Sequence, residues 1–238
     1  MPILLDHQLQ EQIPHDISTF PVAFYCDELA ALPNRTGPMH WHPYFEIATA
    51  QSGILDYQVG QTHTILEPGD SIFVNQNMLH GIRQLSGDAP DHLPIIIFSG
   101  TVVAPENSVI YQKYIQPILE CNSLPFAVFR HDSSLWTEVH RRIRSTYHAM
   151  EEQPDCYELA VQRNICCILE TLFRNFDSLP KAEASRVQLT LKYVSRKCCY
   201  IFIRITPRRS LWQISPALPI SAAAKQDGVS NPTWDVLQ

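Results

Sequence analysis

The stretch "HWHPYFEIATAQSG", residues 40–53, contains the polar pattern that decides the fold. Its two histidines, His40 and His42, occupy alternate positions, and Glu46 follows four residues after the second. Alternate residues of a β-strand face the same side, so a continuous strand would direct both imidazoles and the carboxylate towards one point. The stretch therefore predicts a cluster of potential ligands on one wall of a β-structure.

A second segment supplies a fourth polar side chain. In "EPGDSIFVNQNMLHGIRQ", residues 67–84, a Pro-Gly-Asp turn precedes a short apolar strand and then His80. Three histidines and one carboxylate suit a divalent transition metal such as Zn, Ni, Mn or Fe, and leave open coordination positions for water or substrate. The residues alone leave three interpretations open: a metal site, contacts to a small polar effector such as a sugar, or a structural polar interior.

Composition and charge limit the classes of function. The chain has 238 residues, 45% of them hydrophobic, which is enough for a packed core. Its formal net charge of −6 argues against broad nucleic-acid binding, because phosphate contacts need a basic footprint. Asp6 comes before any apolar region of signal-peptide length, and seven cysteines without a CxxC pair fit a reducing compartment. We therefore expect a cytoplasmic protein without a membrane partner.

The chain divides into a strand-rich part and a helix-rich part. From residue 19 to 131, short β-branched or aromatic runs alternate with turn residues, which predicts an all-β sandwich or barrel. The apolar spacing then changes to that of two helices, over residues 133–153 and 155–177, joined across a Pro-Asp break. The second part is therefore expected to be an antiparallel helical hairpin.

The second helix gives the signal for self-association. Its apolar side chains carry more surface than one barrel wall would obviously cover. The residues concerned are Leu169, Leu172, Phe173 and Phe176. A homodimer formed through the hairpin is therefore expected.

The segment 181–238 is less regular. Residues 185–197 predict one further helix, with Val187, Leu191 and Val194 on one side. Beyond Lys197 the sequence holds four prolines and no sustained period, so an irregular tail is expected there.

The two polar segments resemble the two motifs of the cupin barrel. In the first motif, Gly precedes His-x-His, and Glu and a second Gly follow. His40, His42, Glu46 and Gly53 keep every spacing, while Asn34 replaces the leading Gly. The resemblance implies a cupin-like jelly-roll β-barrel over residues 1–131.

The second cupin motif is matched in spacing but less closely in residue type. Its first Gly and its His correspond to Gly69 and His80. Its Pro, second Gly and final Asn are replaced by Asn75, Asn77 and Gln84. The resemblance implies that His40, His42, Glu46 and His80 either hold a metal or contact the effector, because they match the four metal ligands of cupins.

The order of elements is similar to that of AraC-type transcription regulators. In that family an "HxHxxxEL…G…PGD…H" sensor barrel is followed by a pair of dimerising helices and a double helix-turn-helix DNA-binding domain. The resemblance implies that residues 132–180 are the dimerisation hairpin and residues 181–238 a remnant of the DNA-binding domain. Two helix-turn-helix units need on the order of 100 residues, and only residues 198–238 follow the first helix. DNA is a partner of the full-length family, and we expect this chain to have lost most of that part.

Two functions follow. The first is a truncated AraC-like regulator, not an enzyme, that senses a small-molecule effector in the barrel and dimerises through its helices. The alternative is a cupin metalloenzyme, an oxygenase or isomerase. Its metal ion would be held by three histidines and Glu46 and would act as a Lewis acid. No further acid or base stands out in the sequence, so no catalytic residue is predicted.

Overall fold

The computed structural model describes residues 3–13, 19–86, 92–121 and 123–179. Strands and α-helices follow one another along the chain in the order expected. The strands are β1 (Val22–Glu28), β2 (Thr36–His40), β3 (Phe45–Thr49), β4 (Ile54–Val59), β5 (Thr62–Leu66), β6 (Ser71–Val74), β7 (His80–Ser86), β8 (His92–Phe98) and β9 (Phe126–Phe129). The α-helices are α1 (Gln116–Glu120), α2 (Thr137–Glu152) and α3 (Tyr157–Arg174). The predicted fold class, mainly β with α, is confirmed.

The strands form two antiparallel sheets that enclose the barrel interior. Five strands pair in the order β1-β8-β3-β6-β9, and four pair in the order β2-β7-β4-β5. An apolar cluster between the sheets takes Leu55 and Leu66 from the four-stranded sheet and Ile72 and Val74 from the five-stranded sheet. Both sheets therefore contribute to one interior.

The five-stranded sheet has a different neighbour on each face. Phe45 and Ile47 of β3 belong to the apolar cluster that includes the helices, whereas Ala48 belongs to the barrel interior. Glu46 also faces the interior, where it contacts side chains of β4 and β7. This alternation follows from strand geometry and makes β3 a wall shared by the barrel and the helical layer.

The hairpin α2–α3 packs on the outer face of the five-stranded sheet. Leu169 and Leu172 are 3% and 0% exposed, and Phe173 and Phe176 pack against the same cluster. The apolar face that led us to expect dimerisation is therefore covered within one chain, and the argument from those four residues is wrong. The division into a barrel over residues 1–131 and a hairpin over 132–180 stays a prediction, since one apolar cluster includes both.

Runs such as "YFEIATA", "ILDYQVG" and "SIFVN" predict individual strands, but two strands of the four-stranded sheet are not among the predicted runs. β2 and β7 contain polar and glycine residues in place of a continuous apolar run. Their pairing shifts by one residue between Gly37 and His40, because Gly37 pairs with Ile82 whereas His40 pairs with His80. This β-bulge bends the end of β2.

The predicted helix at 185–197, the irregular tail and the proposed DNA-binding remnant lie outside the described residues. Among the helices in the ranges given above, none is both long and apolar enough to cross a membrane.

Candidate functional site

The structure brings together His40, His42, Glu46 and His80. Each offers one ligand atom, these atoms lie within 4.8 Å of one another, and all four residues are buried. The way in which the chain brings them together differs from the expected one, because His40, His42 and Glu46 do not lie on one continuous strand. His40 ends β2 in one sheet, His42 lies in the connection, and Glu46 belongs to β3 in the other sheet. The cluster therefore bridges the two walls of the barrel.

Backbone carbonyls orient two of the imidazoles. His40 Nδ1 lies 2.9 Å from the Pro38 carbonyl oxygen, and His80 Nδ1 lies 2.8 Å from that of Met78. When each Nδ1 donates its proton to the carbonyl, the Nε2 atom is the one that faces the cluster. This second contact fixes the tautomer and the ring direction of histidines in metal sites.

Glu46 is the centre of the cluster. Its Oε2 lies 3.1 Å from His42 Nε2 and 3.2 Å from His80 Nε2. Its Oε1 accepts a hydrogen bond from the hydroxyl group of Tyr57, which is 2% exposed. Tyr57 belongs to neither cupin motif, so sequence analysis did not assign it to the cluster. Tyr57 lies two residues from both Leu55 and Val59 along β4, so all three face the same side, and this spacing could have placed Tyr57 inside the barrel.

Burial and mutual contact separate the pKa values of the four groups. Burial lowers the pKa of His40 to about 3, assisted by the charge of His80, and burial also lowers the pKa of His42. Burial opposes ionisation of Glu46, but His80 and His42 together hold the pKa of that carboxyl well below its usual value. Burial also opposes the charge on His80, yet Glu46 raises the pKa of His80. Without a metal, the cluster is therefore an ion pair of Glu46 and His80 beside two neutral imidazoles.

The donor set fits a divalent transition metal. Three imidazole nitrogens and one carboxylate oxygen are the ligand types that Zn²⁺, Ni²⁺, Mn²⁺ and Fe²⁺ bind. The Nδ1 contacts of His40 and His80 supply the outer support that such ligands need. The residues present could therefore hold an ion in place of the proton shared between Glu46 and His80.

The cavity beside the cluster is small. It has a volume of about 40 Å³, enough for a few water molecules at most, whereas drug-sized ligands occupy pockets of about 300 Å³ or more. The N-terminal segment closes it, because Ile3, Leu4, Glu11 and Gln12 line the cavity together with barrel residues. Any effector larger than a few atoms must displace part of this segment.

The two asparagines that replace motif glycines keep the backbone shape of the motif. Asn34 and Asn77 have φ values of 52° and 58°, in the left-handed region. Gly53 and Gly69, the glycines that remain, have φ values of 73° and 94° in the same range. Asparagine is one of the few residues that adopts this conformation readily. The departures from the cupin pattern therefore preserve the turns that carry His40 and His80.

The histidines outside the two motifs are scattered in the sequence and are most simply expected at the surface, and most of them lie there. The side chains of His63, His92 and His131 are 56%, 48% and 45% exposed, and His148 is also exposed. His140 contradicts this expectation, since it is only 7% exposed and its Nδ1 lies 3.5 Å from the Ser71 hydroxyl oxygen. It faces the sheet from α2, in a turn of helix that also carries the exposed Arg141.

Comparison with known proteins identifies the barrel. The family model described as "Cupin domain" matches residues 29–93. This match contains all four residues of the cluster and confirms the cupin-like fold. No curated protein matches the chain.

Solved structures give more distant likenesses. An apo variant of ToxT from Vibrio cholerae is 10% identical with a TM-score of 0.49, over 80% of this chain and 66% of that one. The AraC-like transcriptional activator CuxR is 12% identical with a TM-score of 0.43, over 76% of this chain and 58% of that one. KdgF from Halomonas sp. is 24% identical with a TM-score of 0.27, over 33% of this chain and 68% of that one.

Proposed function

We propose that this chain is the effector-sensing part of an AraC-type transcription regulator and binds a small molecule at His40, His42, Glu46 and His80. The observation that carries the proposal is the convergence of four buried ionisable side chains from two distant segments. Burying such groups is unfavourable, and apolar residues of similar size often give a more stable core. A binding role explains why a barrel interior would contain them.

Strand β3 connects the barrel cavity to the helical layer. Glu46 faces the cavity, and its neighbours Phe45 and Ile47 pack in the cluster that contains α2 and α3. A ligand that moves Glu46 therefore acts on a strand that supports the helical layer. In the proposal, effector binding biases the arrangement of the hairpin and, through it, the DNA-binding part.

Self-association completes this proposal but needs a surface other than the covered face of α3. Leu135 and Leu159 are large apolar side chains that remain 48% and 63% exposed at the hairpin. Sedimentation equilibrium of the wild type and Leu159→Glu tests this part. We expect a dimer that the substitution weakens.

A bound metal would be held by the same four residues and would supply a Lewis acid and an open position for a ligand oxygen. The protein residues prepare this site in specific ways. His40 and His80 present Nε2, Glu46 supplies the negative charge, and the Tyr57 hydroxyl positions the carboxylate.

A thermal-shift screen of small molecules, with and without Zn²⁺, tests the sensing role. A true effector should raise the melting temperature of the wild type, and His42→Gln should abolish the shift. His63→Gln is the matched control, since His63 lies on the outer face of the barrel. A ligand that stabilises both variants equally would contradict binding at the cluster.

The donor set also favours a second candidate, a cupin metalloenzyme acting as an oxygenase or isomerase. Multiple turnovers of a small substrate by the metal-loaded protein, lost in His40→Ala, would support that function over the regulator. Oxygen consumption with candidate substrates measures the oxygenase case directly.

A further inference from the structure

The N-terminal residues 3–13, here called the arm, form a small closed loop over the barrel opening. Leu5 and Glu11 form an antiparallel bridge. The Asp6 carboxylate accepts hydrogen bonds from the backbone N–H groups of Gln8 and Gln10, at 2.7 and 2.9 Å. The arm therefore has its own internal structure.

Trp41 attaches the arm to the barrel. Its backbone N–H donates to the Leu9 carbonyl at 3.0 Å, and its carbonyl accepts from Glu11 N–H at 2.9 Å. Its indole Nε1 donates to the Gln8 carbonyl at 2.9 Å. Trp41 lies directly between His40 and His42 in the sequence, so the arm is fixed to the segment that carries the cluster.

This attachment places the Glu11 carboxylate beside the cluster. Glu11 Oε2 lies 3.8 Å from His40 Nε2, and the side chains of both residues are only 10% exposed. Glu11 also lines the same cavity as Glu46, Tyr57 and His80. A second carboxylate thus enters the barrel from a segment outside the sheets.

Charge balance gives this second carboxylate a function. A divalent ion held by one carboxylate and three neutral imidazoles carries a net charge of +1. One monoanion neutralises that charge, and a buried charge requires such a partner. Glu11 is the monoanion within reach in this structure, and an exchangeable ligand carboxylate would satisfy the same requirement.

The rest of the cavity wall is aliphatic. Apart from the cluster, Glu11, Gln12, Tyr25 and Tyr57, the side chains that line it are apolar. The barrel supplies Leu29, Leu32, Ile82, Leu93, Ile95 and Ile97. A sugar would bury several hydroxyl groups against this wall without hydrogen-bond partners, which is unfavourable. The arm lines the cavity with Ile3 and with Leu4, which is 57% exposed, beside Glu11, and so presents one carboxylate with aliphatic groups.

We propose that the arm is a built-in competitor of the effector, and that the effector is a monocarboxylate with a short aliphatic body. Its carboxylate takes the place of Glu11 beside His40, and its body takes the place of Ile3 and Leu4. This inference rests on the proposed function, since it names the ligand class of the same site.

Calorimetric titration of the full chain with hexanoate tests the inference, with Zn²⁺ and with EDTA. Glu11→Gln keeps the size of the side chain and removes its charge, so the binding-competent open form becomes more populated. We expect hexanoate to bind this variant at least about tenfold more tightly than the wild type. Asp6→Ala loosens the arm without removing the competing carboxylate and should tighten binding by a smaller factor. Glu151→Gln, at an exposed position of α2, is the matched control and should bind as the wild type does.

Two comparison ligands separate the possible failures. Hexanol has the same body without the charge, and glucose has hydroxyl groups without a carboxylate. Equal hexanoate affinity in the wild type and Glu11→Gln under both conditions, or no hexanoate binding at all, overturns the inference. If glucose binds instead and His80→Ala abolishes that binding, the ligand class is wrong while the sensing function stands.

Discussion

Two buried carboxylates on the five-stranded sheet differ in the kind of partner that surrounds them. Glu46 in β3 and Asp70, directly before β6, are 2% and 1% exposed. Asp70 accepts hydrogen bonds from the backbone N–H groups of Glu67 and His131, at 3.1 and 2.8 Å, and from Arg130 Nη1 at 2.7 Å, and its Oδ1 also lies 2.9 Å from His131 Nδ1. Glu46 contacts only side chains in the contacts described above.

The difference separates a structural carboxylate from a binding one. Three of the four contacts of Asp70 come from backbone N–H groups and a guanidinium, which keep their protons at every ordinary pH, and its one imidazole partner, His131, has a side chain that is 45% exposed. The partners of Glu46 include imidazoles, which can release a proton and bind a metal or a ligand instead. A buried carboxylate therefore indicates a ligand site when its partners are mainly buried imidazoles, and a structural role when they are mainly backbone N–H groups and a guanidinium.

Glu46→Gln should have the largest effect on metal binding. The variant loses the only anionic member of the cluster, so the affinity for Zn²⁺ should fall by more than about 100-fold, beyond the effect of changing an outer contact. Competition with a chromophoric chelator measures the affinity. An unchanged affinity would show that the imidazoles alone bind the ion.

Asp70→Ala should instead affect stability. Two backbone N–H groups, Arg130 and the His131 imidazole lose their acceptor, so the free energy of unfolding should fall by about 2–3 kcal/mol, measured by urea denaturation. Zinc affinity should stay within about twofold of the wild type. Asp132→Ala, at an exposed carboxylate close in sequence, is the control and should change stability by less than about 0.5 kcal/mol. Loss of zinc binding in Asp70→Ala would remove the distinction between the two carboxylates.

Acid should destabilise the metal-free protein through His40. Because burial lowers the pKa of His40 from 6.5 to about 3, the unfolded chain binds a proton in that range that the folded chain excludes. Stability from this residue is fully present above pH 6.5 and falls by about 1.4 kcal/mol per pH unit as the pH decreases towards 3. His42 acts in the same direction.

His80 has the opposite effect on the pH dependence of stability. Its pKa is raised, so its contribution is present below pH 6.5 and is lost as the pH rises through the folded value. Urea denaturation at a series of pH values in EDTA measures the sum of these effects. His40→Gln should reduce the slope of the unfolding free energy against pH in the acidic range, by up to the slope that uptake of one proton gives. An identical slope in this variant would contradict the assignment.

Tyr57→Phe should have the smallest effect. The phenol only positions the Glu46 carboxylate, so zinc affinity should fall by about tenfold, as for other outer contacts of metal ligands. Tyr114→Phe is the control, because that hydroxyl group belongs to a side chain that is 40% exposed. Equal affinities in the two variants would assign the Tyr57 contact to packing alone.

The spacing of His40, His42, Glu46 and His80 was enough to predict that they meet, but not how. The expected continuous strand is wrong, because the chain passes from one sheet to the other between His40 and Phe45. Sequence periodicity describes one strand at a time and contains no information on which sheet the next strand joins. β2 and β7 were missed for a related reason, since the residues that build the site interrupt their apolar pattern.

Features that depend on long-range contacts were also beyond the sequence. Glu11 lies in a polar N-terminal stretch with no motif, and only the docking of the arm on Trp41 brings it to His40. Leu169 and Leu172 were read correctly as apolar but assigned to the wrong partner, because hydrophobicity does not distinguish a covering sheet from a second copy of the chain. His140 was placed at the surface because it stands in a run of charges.

The bulge between Gly37 and His40 separates the spacing of residues along β2 from their pairing with β7. Gly37 and His40 are three residues apart, whereas their partners Ile82 and His80 are two apart. Residues directly opposite each other in an antiparallel pair face the same side of the sheet, so His40 emerges beside His80 despite the odd spacing. Loss of the extra residue would leave the two histidines opposite each other and would straighten the end of β2. The geometry of the cluster therefore tolerates a change of one residue in the length of this strand.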